Sequence, residues 1–177
     1  NIKHNQNLTD TEVLVNLAEK KTTKQINQHI DGMYVYALHD DRRNELTISR
    51  DLQGEKSLYV YEDNLFIIIS SEIASIDKYV ESLLLDVDVL KSYFYTKHFM
   101  QYSSALFKKI TILKPGETKK LIFFNFKWKI SNTNSILDLI NEDVYSSNLN
   151  KSLDDLTDEL EFILNRNLKQ MIPNSRN

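Results

Sequence analysis

Asp10, Arg50, Asp51 and Glu72 are the charged residues whose settings could bear chemistry. Asp10 follows Thr9 in "LTDTEVLVNLAEK", which reads as the start of a helix. A carboxylate held there can pair with an ammonium group inside a pocket, and it also favours the positive end of the helix dipole with no ligand at all. Arg50 and Asp51 open "RDLQGEKSLYVYED", where Gly54, one of only three glycines, precedes an alternating aromatic run. Charged side chains at a strand end commonly fix a turn through paired hydrogen bonds, and a glycine gives the corner its backbone freedom. These three residues read as scaffold. Glu72, in "SSEI", has the chemistry of a general acid, but its place ahead of a helix reads as a cap or an orienting charge.

The other reactive residue types point nowhere sharp. His4, His29, His39 and His98 lack metal-ligand spacing and no HExxH pattern occurs, so surface or core placement accounts for them. Lys108, Lys109, Lys119 and Lys120 interleave with Phe123, Phe124, Phe126 and Trp128, as in surfaces that stack bases. Antiparallel strands with solvated lysines and buried rings have the same composition. Twenty-two basic residues face 25 acidic ones, for a net charge of −3 and a pI near 5.8. A nucleic acid or an anionic membrane needs a concentrated basic surface, so neither is expected as a partner. The chain has no cysteine, which rules out disulfides and thiolate metal sites within it and leaves its redox compartment open. Apolar runs such as Leu65 to Ile69 are far shorter than the ~20 residues of a membrane-spanning helix. The opening "NIKHNQNLTD" has no signal-peptide apolar region and no initiator methionine. A soluble, cytoplasmic body is expected, from a natural protein that begins upstream of Asn1.

These residues need elements to hold them. Thr9 stands three residues before Glu12, a capping-box pattern, and Val13, Leu14, Leu17 and Ala18 share one helical face, which predicts a helix from about Thr9. A second helix is predicted over "TKQINQHI", ended by Asp31 and Gly32. Four β-rich runs follow, "MYVYALHD", "NELTISRD", "KSLYVYED" and "NLFIIISS", separated by turns of hairpin length, and predict an antiparallel meander. The first and last runs are apolar on both faces, so the sheet must be covered on two sides. "SEIASIDKYVESLL" and "DVDVLKSYFYTKHF" read as helices, the second capped by Asp86 or Asp88 with Leu90, Phe94 and Tyr93 inward. "ALFKKITILKPGETKKLIFFNFKWKI" returns to strand around a Pro115-Gly116 turn. With 41% hydrophobic residues the chain can bury one sizeable core, and a two-layer or four-layer α+β sandwich fits the order of elements.

Residues 131–151 are rich in Asn, Ser and Asp and read as a linker with a short apolar patch at Ile136 to Ile140. The segment after it carries Leu153, Leu156, Leu160, Ile163, Leu164 and Leu168 at helical spacing, with Asp154 and Asp155 near its start. It reads as the first helix of a second domain.

Several stretches, in this order, together resemble one family. "TDTEVL" is similar to an S-D-x-E-V helix start, "DGMYVYALHD" to G-M-F-A-F-A-L-x-D, "SRDLQGEKSLYVY" to A-R-D-x-x-G-x-K-P-L-Y-Y, "SSEI" to A-S-E-I-K, and "LFKKITILKPGETKKL" to a segment ending in L-x-P-G-x. That family is the class II glutamine amidotransferases, specifically the amidotransferase half of asparagine synthetases. The resemblance covers roughly residues 7–130; Gln53 and Ser57 depart from its pattern. It implies an Ntn-hydrolase-like αββα sandwich, incomplete here, with residues 1–130 a partial amidotransferase domain and 152–177 the first helix of a truncated synthetase (ATP pyrophosphatase) domain.

By that resemblance the family nucleophile is an N-terminal cysteine, whose thiol attacks the glutamine carboxamide while its α-amine acts as base. The cysteine, the arginine that grips the glutamine carboxylate and the N-G-E segment have no counterpart in this chain, so no catalytic residue and no metal ligand is expected in it. Asp10 matches the aspartate that binds the glutamine α-ammonium. Arg50, Asp51, Gly54 and Glu72 would be scaffold near the site. ATP and Mg would serve the intact enzyme, at a loop beyond Asn177. Glutamine and the missing synthetase domain would be partners, and a homodimer is open. Two other readings stay open: a non-catalytic amidotransferase-like interaction module, and a ligase amidating a different acceptor.

Overall fold

The structure is a computed structural model that describes residues 8–64, 66–98, 104–125, 127–135 and 141–171. It divides into two compact units, Asn1–Ile136 and Leu137–Asn177.

The first unit opens with two short helices built on the same device. In α1 (Asp10–Ala18) the Thr9 hydroxyl accepts from Glu12 N–H at 3.3 Å while the Glu12 carboxylate accepts from Thr9 N–H at 2.7 Å. Thr22 and Gln25 repeat the exchange for α2 (Thr23–His29). Each box satisfies N–H groups that a helix start leaves without intrahelical partners.

The strands β1 (Val35–Asp40) and β2 (Glu45–Arg50) form an antiparallel hairpin, as do β3 (Tyr59–Glu62) and β4 (Ile67–Ser70). After α3 (Ile73–Asp77) and α4 (Val87–Thr96) come β5 (Ile110–Ile112), β6 (Thr118–Phe124) and β7 (Lys127–Asn134). The four early strands do not make the expected meander. β2 pairs with β6, and β3 with β5, giving one sheet of order β1-β2-β6-β7 and another of order β4-β3-β5. The physical reason lies at the β2 end. Arg50 N–H donates to Glu117 O and Asp51 N–H to Tyr34 O, so the backbone there is already paired within the first sheet and the corner carries the chain across to the second.

Strand alternation sorts the side chains into layers. Ile48, Leu58, Val60, Leu113 and Leu121 form a core between the two sheets, lined also by Val35, Leu46, Ile67 and Ile69. Tyr61, Ile76, Ala105 and Ile110 form a second core where α3 covers the outer face of the smaller sheet, with Tyr59 and Ile68 against it. On the outer face of the larger sheet, Asn27 of α2 reaches Ser49 of β2 and Thr118 of β6. The layer order is helix, sheet, sheet, helix, an α+β sandwich of antiparallel sheets.

Two further expectations are corrected. The helix predicted over 71–84 shrinks to α3, because the chain beyond it is drawn into pairing with 104–108: Lys108 N–H donates to Leu84 O, Asp86 N–H to Leu106 O, and Leu85 bridges Phe107. In α4, capped by Asp86, the buried residue is Val89; Phe94, expected inward, is 66% exposed and Tyr93 is exposed too. Within the segment read as a linker, 131–151, β7 continues to Asn134 by pairing with β6, and Asn141 caps a helix, α5 (Glu142–Leu149), by accepting from Asp143 and Val144 N–H. The apolar patch at 136–140 lies outside the described residues.

In the second unit α5 is followed by α6 (Leu153–Met171). Ser152 and Asp155 close its first turn reciprocally, with Asp155 N–H donating to Ser152 Oγ at 3.1 Å and that hydroxyl donating to Asp155 Oδ2 at 2.7 Å. Leu153, Leu160, Ile163, Leu164 and Leu168 on α6 are exposed.

Candidate functional site

The corner after β2 is the most tightly tied place in the chain. The Arg50 guanidinium spreads over three backbone carbonyls: Nε donates to Lys56 O at 2.5 Å, Nη1 to Leu113 O at 2.6 Å and Nη2 to Gly54 O at 2.5 Å. The Asp51 carboxylate, only 2% exposed, accepts from the N–H groups of Gln53, Glu55 and Lys56 at 3.2, 2.9 and 3.1 Å. Its backbone carbonyl accepts from Gly54 and Gly116 N–H. Burial pushes the Asp51 carboxyl up, but the N–H donors around it, Glu55 foremost, outweigh that and hold it below the usual range.

Gly54 sits in the left-handed region at φ +71°, and a Cβ there would lie 2.8 Å from Pro115 Cγ and 3.1 Å from Arg50 Cζ. Across the turn, Glu117 accepts from Lys114 N–H at 2.7 Å and lies 3.6 Å from Lys119 Nζ. The hydrogen bonds described for the Arg50 and Asp51 side chains all go to backbone groups, and they lock β2 to the 113–117 turn.

Asp10 is different. It is the first residue of α1 and exposed, and the capping of that helix end is carried by Thr9 and Glu12 on either side of it. The Glu12 carboxyl is lowered by its hydrogen bonds from Thr9, backbone first. Among the described residues no cation lies within ion-pair distance of Asp10. Its carboxylate is thus available for a cationic group from outside. The structure does not bring it together with Arg50 or Asp51 by any hydrogen bond.

Glu72 holds the N-cap position of α3, is exposed, and makes no capping hydrogen bond through its side chain. Its expected role as a cap is corrected to that of a charge near a helix start: a glutamate at this position is too long to fold back as Ser or Asp does. Among the histidines, His29 lies 2.6 Å from Gln25 O through Nδ1, His39 pairs with Asp41 at 3.1 Å and meets Trp128 edge-on, and His98 is exposed; His4 lies outside the described residues. No group of His, Asp and Glu among the described residues could hold a metal ion. Of the four lysines near the aromatic run, Lys119 faces Glu117 and Lys120 bonds Glu45 at 2.9 Å, while Lys109 lies over the Tyr61 ring. Phe123 and Trp128 pack on each other; Phe126 lies outside the described residues.

A cluster that sequence reasoning passed over lies between α2 and the larger sheet. Asn27 Nδ2 donates to Ser49 Oγ at 3.0 Å and Thr118 Oγ1 at 2.8 Å, Tyr36 donates its hydroxyl to Asn27 Oδ1 at 2.7 Å, and Ser49 and Thr118 lie 2.7 Å apart. Burial pushes the Tyr36 hydroxyl up to about 12, against the opposing hydrogen bond of Ser49. Tyr34, stacked beside Tyr36, is raised by burial and then by the charge of Asp51. The available signal was Ser49 standing with Thr47 at alternate positions to Leu46 and Ile48, a pattern that period-two reading can flag; Thr118, followed by two lysines, gives none.

The sequence pattern of the glutamine amidotransferase domain family matches residues 2–127, more than half of the chain. The chain belongs to that family. A comparison with curated proteins gave no match. Glutamine fits as the substrate of such a domain, and no helix among the described residues is long and apolar enough to cross a membrane.

Proposed function

We propose that this chain is the central part of the glutaminase half of an asparagine-synthetase-like amidotransferase, with Asp10 holding the α-ammonium of glutamine. The observation that carries this reading is the Asp10 carboxylate, exposed at a helix start whose capping its neighbours perform, within a stretch matched by the amidotransferase family. A negative charge fixed there favours an ammonium over a neutral group by a charge-assisted hydrogen bond. The nucleophilic thiol and its amine base would come from a cysteine preceding residue 1, and the released ammonia would go to an acceptor carboxylate, aspartate by resemblance. Residues 131–151 would connect to a second domain that α6 begins, in a cytoplasmic enzyme.

The residues of this chain do not themselves fit ATP or Mg. Its three glycines are isolated in separate turns, with no glycine-rich loop, and no acidic cluster among the described residues fits a metal ion. Activation of the acceptor is assigned no residue here.

The test uses the pure 177-residue chain. It should release no ammonia from glutamine, yet glutamine should shift the amide resonances of the first turn of α1, and Asp10→Asn should abolish that shift. Ammonia release by the chain, or a shift unaffected by Asp10→Asn, would overturn the reading.

A further inference from the structure

We infer that Asn27 is a positioning residue, one amide that fixes the α1–α2 pair on the larger sheet and thereby places the Asp10 carboxylate. This rests on the reading of Asp10 as the ammonium contact. Asn27 is bonded to Tyr36 on β1, Ser49 on β2 and Thr118 on β6, three adjacent strands, at 2.7 to 3.0 Å. Ser49 is 0% exposed, and no buried side-chain polar atom among the described residues lacks a partner. The four polar side chains of the network are thus all hydrogen-bonded, and they tie α2 to three strands at once.

Apolar side chains of similar size would bury as well, but they have no preferred direction and tolerate sliding and rotation of a helix on a sheet. Hydrogen bonds of fixed angle do not. α2 has seven residues and buries only Ile26 beside Asn27, so its apolar contact is small. α1 packs on α2. A rotation of α2 about Asn27 is therefore carried to the far end of α1, where Asp10 sits about 13 Å along a nine-residue helix.

Asn27→Leu alone strands the hydroxyls of Tyr36, Ser49 and Thr118 and can unfold the chain, so the informative variant replaces all four: Asn27→Leu, Tyr36→Phe, Ser49→Ala, Thr118→Val. This removes donors and acceptors together, which is often near neutral for stability. Residual dipolar couplings of the backbone amides report helix orientation relative to the sheet, a quantity that a merely stabilising role would leave unchanged. The inference expects couplings in α1 and α2 to fall by at least about twofold, with those of β1, β2 and β6 unchanged, and the glutamine-induced shift at the first turn of α1 to weaken about tenfold in affinity. Unchanged couplings in α1 and α2 would overturn it, as would reduced couplings with full glutamine affinity. A wild-type chain that shows no glutamine shift removes the Asp10 reading instead, and the couplings still decide whether Asn27 orients the helices. If the fourfold variant unfolds, the network is a stability element and the inference fails.

Discussion

Gly54 is the residue on which the corner turns. Its φ of +71° and the 2.8 Å approach of a Cβ to Pro115 mean that Gly54→Ala must both strain the backbone and displace the proline ring, with the Arg50 guanidinium crowded at 3.1 Å. The expected cost is about 1–3 kcal/mol, read as a lower urea midpoint with unchanged slope. Asp51 makes a separate prediction through pH. Its folded-state pKa lies below the unfolded value of about 4, so its stabilisation is complete above that value and is lost as pH falls through the folded pKa. The stability difference between the protein and Asp51→Asn should shrink as pH drops below about 4, measured by urea titration at several pH values. Both residue types were visible in the sequence as a corner. Their partners were not, because Arg50 bonds the carbonyl of Leu113, 63 residues away, and a backbone carbonyl has no residue identity to read.

At the scale of elements, local signals and distant pairing separate cleanly. The capping boxes of α1 and α2 span three residues each, and Asp86 accepts from Asp88 and Val89 N–H at 3.1 and 3.3 Å to start α4. Asp86→Ala should cost about 1 kcal/mol and raise amide exchange in the first turn of α4 before any other helix. These features were legible because everything they need lies within one turn. The partition of strands into two sheets was not, since alternation says which side chains share a face and nothing about which strand lies alongside. The shortening of α3 has the same origin: Leu84 O and Asp86 N–H are claimed by 106–108, a competitor that no window over 71–84 contains.

At the scale of the whole molecule, the first of its two units stacks four layers around two cores, one between the sheets centred on Ile48 and Leu113 and one under α3 centred on Ile76. The two-sided cover of β4 followed from its unbroken apolar run, with Ile67 and Ile69 in one core and Ile68 in the other. Of the candidate site, Asp10, Glu72 and the corner stood out in the sequence by charge and position; the Asn27 network escaped because its four members come from α2, β1, β2 and β6 and carry ordinary residue types. The central claim is that this chain supplies scaffold and ammonium contact while the nucleophile lies outside residues 1–177. Top-down mass spectrometry of the protein from its natural source, reading intact mass and N-terminal sequence together, tests it most directly. The account predicts a chain well above 20.8 kDa that opens on cysteine. A mature protein of 20.8 kDa beginning at Asn1 would contradict it.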